Sequence, residues 1–147
     1  VIIFTAISTI LLPLAITTGA INPNVTQANI DSTICTIGYT STIRPPVSYT
    51  NRLKQQQLNG DYSFYKDKNL SSYEEDHLIS LELGGSPTDI RNLWPQPYTS
   101  HNARTKDQIE NKLHDLVCSK TITLKQAQKE IATNWIAAYI KYMGKTP

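Results

Sequence analysis

Between Tyr73 and Asp107 the chain cannot run as one long element. The stretch reads YEEDHLISLELGGSPTDIRNLWPQPYTSHNARTKD. Gly84-Gly85 and Ser86-Pro87-Thr88-Asp89 mark turns. Short apolar alternation predicts a first strand within Tyr73–Leu83 and a second over Ile90–Trp94, stopped by Pro95 and Pro97. From Asn102 the period changes. Ile109, Leu113, Leu116 and Val117 recur at i, i+4, i+7 and i+8, which predicts a helix over Asn102–Cys118. Strand, turn, strand, helix is the unit on which the rest must pack.

The polar residues of this unit carry chemistry. Asp76 is a hard oxygen ligand of the kind Mg²⁺ prefers. His77 can exchange a proton near neutral pH without a large pKa shift. Neighbours on a regular strand point to opposite faces, so Asp76 and His77 share a site only where the strand ends or bulges. Asn102, at the helix start, can cap backbone N–H groups or reach a metal. Glu74 and Glu75 add negative charge, which suits a cation and repels bare phosphate.

In order, Asp76-His77, Gly84-Gly85, Asn92 and Asn102 resemble the motif of the HNH branch of the His-Me finger, or ββα-metal, nucleases. The wider runs DHLISLELGG, RNLWPQPY and NARTKDQIENKLHDLVC are similar to a group of small exported bacterial proteins with that motif. The resemblance covers about residues 22–143 and implies four roles. His77 is expected to be the general base and Asn92 to orient it through backbone hydrogen bonds. Asp76 and Asn102 are expected to hold one divalent cation, Mg²⁺ with Mn²⁺ as the alternative. Arg91, Arg104 and Lys106 are the candidates for contact with nucleic acid. The chain departs from the family in places. Ser80 stands where many members have Pro, and Lys106 lies one place later than in the common N-x-x-K form. His101, beside Asn102, is the alternative third ligand. Many members carry two Cys pairs around a structural zinc. Two cysteines cannot make such a Cys₄ site, so no structural zinc is expected.

The remaining chain bounds the setting. Its 147 residues suffice for one compact domain, and a net charge of +2 is too small by itself to demonstrate nucleic-acid binding. Val1–Ala20 is apolar and uncharged, ending in Thr18-Gly19-Ala20. It resembles the apolar region and cleavage site of a secretory leader, with a retained membrane anchor as the competing reading. Residues 21–147 then form one secreted or periplasmic domain with no lasting membrane association. Export agrees with pairing of Cys35 and Cys118, against the alternative of two buried thiols. A bridge closing a loop of about 80 residues is worth about 4.5 kcal/mol in the chain-entropy picture.

Flanking helices are expected over Gln27–Cys35 (capped by Thr26), Tyr49–Leu58 (capped by Ser48) and Leu124–Tyr142 (capped by Thr123). Tyr39–Arg44, rich in Thr, reads as extended, and Asp61–Ser72 as a loop. The expected fold is α+β: a small ββα-metal finger packed with three to four helices, helix-rich overall. The expected activity is metal-dependent hydrolysis of phosphodiester bonds in DNA, or in RNA, with low sequence specificity. A rival reading is a non-catalytic exported binding module that keeps the finger as scaffold. An inhibitor partner has no support in the sequence.

Overall fold

The computed structural model describes residues 17–99 and 102–147; residues 1–16 of the expected leader and His101 lie outside this range. The fold is α+β. Helices α1 (Tyr39–Ile43) and α2 (Val47–Asn59) precede a two-stranded antiparallel ribbon of β1 (Tyr73–His77) and β2 (Leu93–Pro97). Helices α3 (Ala103–Cys118) and α4 (Leu124–Met143) follow. The order β1-β2-α3 matches the strand-strand-helix unit read from the sequence.

Several boundaries differ from expectation. β1 stops at His77, and Leu81–Leu83 forms a 3₁₀ turn rather than continuing the strand. β2 starts later and includes both prolines. Leu78 N donates to Asn92 O at 2.8 Å and Tyr98 N to Ser72 O at 3.1 Å, so the ladder bonds fall on even-numbered residues. Pro95 and Pro97 face Glu75 and Tyr73 at the alternate positions and forfeit no bond of the ladder. Tyr39–Ile43 is helical despite its threonines. Gly38 enters at φ 85°, and the Thr42 hydroxyl bonds back to Tyr39 O at 2.7 Å. The segment after Thr26 is 3₁₀ over Gln27–Ser32. α2 begins at Val47 behind Pro46, with Ser48 inside it rather than at its cap.

Both C-terminal helices start where their caps predict. Asn102 Oδ1 accepts from Thr105 N at 2.9 Å, and Thr123 Oγ1 accepts from Gln126 N at 3.1 Å. Ile109, Leu113 and Val117 of α3 pack on Leu124, Ala127, Ile131 and Trp135 of α4. Each such aliphatic side chain contributes about 1.5–3 kcal/mol on burial. Tyr139 completes the α4 stripe, whereas the expected Tyr142 is only partly buried. Ile79 and Leu83, from the loop after β1, enter the same core and fasten the ribbon to the helices. The disulfide Cys35–Cys118 ties the N-terminal segment to the end of α3.

Three carbonyls on the ribbon's outer edges accept from side chains. Tyr73 O accepts from Lys54 Nζ of α2, and His77 O from Lys106 Nζ of α3, each at 2.8 Å. On the other edge Leu93 O accepts from Gln57 Nε2 at 2.8 Å. An open edge is thereby turned into contacts that fix where each helix sits.

Candidate functional site

The site forms where β1 ends against the start of α3. Asp76 pairs with Trp94 across the ribbon, and His77 with Leu93. Both acidic and imidazole side chains are buried, Asp76 at 8% exposure and His77 at 6%.

His77 Nε2 lies 3.0 Å from Pro87 O. A carbonyl oxygen can only accept, so Nε2 carries the proton and the neutral ring keeps its lone pair on Nδ1. Burial is the main influence on this ring and lowers its pKa below the usual 6.5. The Pro87 contact and Asp76 oppose that shift, while Arg44 and Lys106 add to it. His77 is therefore neutral at neutral pH, the state a general base requires.

Asn92 is fully buried and does not bond the His77 ring. Its Oδ1 accepts from Ile79 N at 2.9 Å, and its Nδ2 donates to Ile79 O and Ser86 O, each at 2.9 Å. It thus holds both ends of the loop that carries Pro87, the partner of His77. Gly85 completes this clamp. A Cβ there would stand 1.7 Å from Ile79 O and 2.8 Å from Asn92 Nδ2. Residues Thr17–Ala20, assigned in sequence to the leader, lie against the same loop. Gly19 N donates to Arg91 O and Ser86 N to Ala20 O, each at 2.8 Å.

The Asp76 carboxylate meets a cation that belongs to the chain. Lys106 Nζ lies 2.8 Å from Asp76 Oδ2 and also bonds Glu110 Oε1. Trp94 Nε1 donates to Asp76 Oδ2 at 3.3 Å. This corrects the sequence expectation for Lys106. It does not line a nucleic-acid face but is 0% exposed, because one turn past the Asn102 cap it points toward the ribbon. Burial disfavours its charge, but Asp76 and Glu110 outweigh burial and hold its pKa above the ordinary range. The surroundings are acidic. Burial raises Glu74, and Asp76 and Asp107 raise it further. Glu82 is likewise raised by burial, with Asp107 contributing.

The other candidates are dispersed. Arg104 is exposed, its guanidinium 5.8 Å from the centre of the Tyr98 ring. Arg91 is exposed and paired with Asp89 at 2.6 Å. Arg44, also exposed, acts electrostatically on both His77 and Asp107, which places its charge near the site. A cleft of about 510 Å³ is lined by Thr17, Leu53, Tyr62 and Arg91, with neither Asp76 nor His77 in its wall.

Asp76 and Asn102 each offer a hard oxygen, the donor type that a divalent cation such as Mg²⁺ takes. Both oxygens are engaged by the chain's own donors, Asp76 Oδ2 by Lys106 and Asn102 Oδ1 by the α3 N-terminus. Away from this site, Cys35, His114 and Cys118 also group together. There the two sulfurs are bonded to each other, and His114 Nε2 lies 2.9 Å from Ile34 O. That group is a disulfide beside an anchored imidazole rather than a set of thiolate ligands. No family model, no curated protein and no solved structure matches the chain.

Proposed function

We propose that this chain is an exported, metal-dependent endonuclease that hydrolyses phosphodiester bonds of DNA, with RNA as the second substrate, and with low sequence specificity. The observation that carries the reading is His77: a buried, neutral imidazole at the end of β1, tethered through Nε2 with its basic lone pair on Nδ1. In this reading His77 takes the proton from an attacking water. Asn92 acts at a distance, fixing the loop whose Pro87 carbonyl sets the His77 tautomer. Asp76 and Asn102 would hold one Mg²⁺ or Mn²⁺, which supplies charge stabilisation to the scissile phosphate. Arg104, and Arg91 once released from Asp89, offer exposed guanidinium groups for backbone phosphates. The test is nicking of supercoiled plasmid by the full chain in Mg²⁺, beside an EDTA control. Cleavage in both or in neither would overturn the reading.

A second reading has its own observation. The ammonium of Lys106 already neutralises Asp76, as it would in a finger kept as scaffold for an exported binding module. A scaffold would bind no divalent ion and would lose no function on His77→Ala.

A further inference from the structure

We propose that Lys106 is an exchangeable internal cation: a divalent ion takes Asp76 by displacing the ammonium onto Glu110 alone. The proposal rests on the reading of Asp76 as a metal ligand and adds what regulates its occupancy.

Three features of the geometry argue for exchange rather than a fixed ion pair. First, Lys106 has three N–H donors and three acceptors: Asp76 Oδ2, Glu110 Oε1 and His77 O. The two carboxylates sit on different elements. Glu110 is one turn along the same helix, so it travels with Lys106, whereas Asp76 belongs to β1. Second, Asp76 does not depend on Lys106 alone for its orientation, because Trp94 Nε1 also donates to Oδ2 at 3.3 Å. The carboxylate can hold its place when the ammonium leaves. Third, an ammonium and a divalent ion cannot share one carboxylate without strong like-charge repulsion. Glu110 Oε1 already bonds the ammonium, so the displaced charge keeps a buried carboxyl partner on its own helix.

The arrangement predicts opposite effects from two changes in one trio. Lys106→Met removes the competitor, so the ion binds more tightly. Glu110→Gln removes the alternative partner, so Lys106 stays on Asp76 and the ion binds more weakly. A merely structural role would weaken binding in both.

The experiment is Mn²⁺ titration of the full chain, read as loss of the free-ion electron paramagnetic resonance signal, with folding checked by circular dichroism. Lys106→Met is expected to tighten binding at least tenfold and Glu110→Gln to weaken it at least fivefold. Asp76→Asn is expected to abolish it. The double variant Lys106→Met with Glu110→Gln replaces the buried pair by neutral groups, a change that folded proteins often accept. It too should bind more tightly than wild type, and it decides the matter if Lys106→Met alone does not fold. Equal affinity in wild type and the double variant overturns the exchange while leaving Asp76 as a ligand. Absence of binding in both folded proteins overturns the exchange together with the metal reading beneath it.

Discussion

At the scale of single residues, Glu75 and Asp76, adjacent in β1, have opposite fates. Asp76 keeps a cation beside it. Glu75, on the other face, is pushed up to about 8, mainly by burial, with Lys54 opposing and Asp76 adding. Its unfolded value is 4.5. Between these values the unfolded chain ionises and the folded chain does not. The stabilising contribution is thus complete below 4.5 and is lost as pH rises toward 8. Glu75→Gln removes this loss. Thermal melts at pH 5 and pH 8 should show a smaller drop for the variant than for wild type, and parallel drops would contradict the burial argument. Strand alternation was legible in the sequence, but the strand was expected within Tyr73–Leu83 and Glu75 was grouped with the charge beside Asp76, whereas β1 ends at His77. The burial of Lys106 and Glu110 was not read, because charged residues on a helix are ordinarily solvated. The signal was nonetheless present. Positions 106, 109, 110, 113 and 117 continue one helical face, so the apolar stripe of α3 extends N-terminally into two charged residues.

Among elements, the loop between the strands decides whether the site forms. Gly85 is required by contact rather than by an unusual dihedral, since its missing Cβ makes room for Ile79 O. Gly85→Ala is expected to destabilise the fold by about 3 kcal/mol or more, as overpacking against backbone leaves little to relax. Urea unfolding would measure it, and a loss near zero would show that the loop yields. The turn itself was evident from Gly84-Gly85. The strand ends were misplaced for physical reasons. Proline was read as a stop, although in a two-stranded ribbon half of the positions carry no ladder bond. Tyr39–Ile43 was read as extended from its β-branched content, a weak local preference that the turn at Gly38 and the Thr42 back-bond override. The caps at Asn102 and Thr123 were correctly legible because a cap is a local event. Asn92 was expected to orient His77 through backbone hydrogen bonds; its carbonyl accepts from Leu78 N, next to His77, and its side chain bonds Ile79 and Ser86.

For the whole molecule, the disulfide is the one covalent tie between the N-terminal segment and the helical layer among the described residues. Its sequence separation of 83 residues makes it a large constraint on the unfolded chain. Reduction, or Cys35→Ala with Cys118→Ala, is expected to lower stability by about 2–5 kcal/mol. Denaturant melts with and without a dithiol reductant would check this, and coincident melts would refute it. No helix among the described residues is long and apolar enough to cross a membrane. In the proposed nuclease, His77 performs proton abstraction at a metal-dependent phosphodiesterase site. The most direct measurement is the rate of plasmid cleavage by the full chain and by His77→Ala, in Mg²⁺ and across pH. A loss of about 10²–10⁴-fold is expected in the folded variant, and for wild type an acid limb centred below pH 6.5 because burial lowers the His77 pKa. Equal cleavage by both proteins, or none by folded wild type, would contradict it.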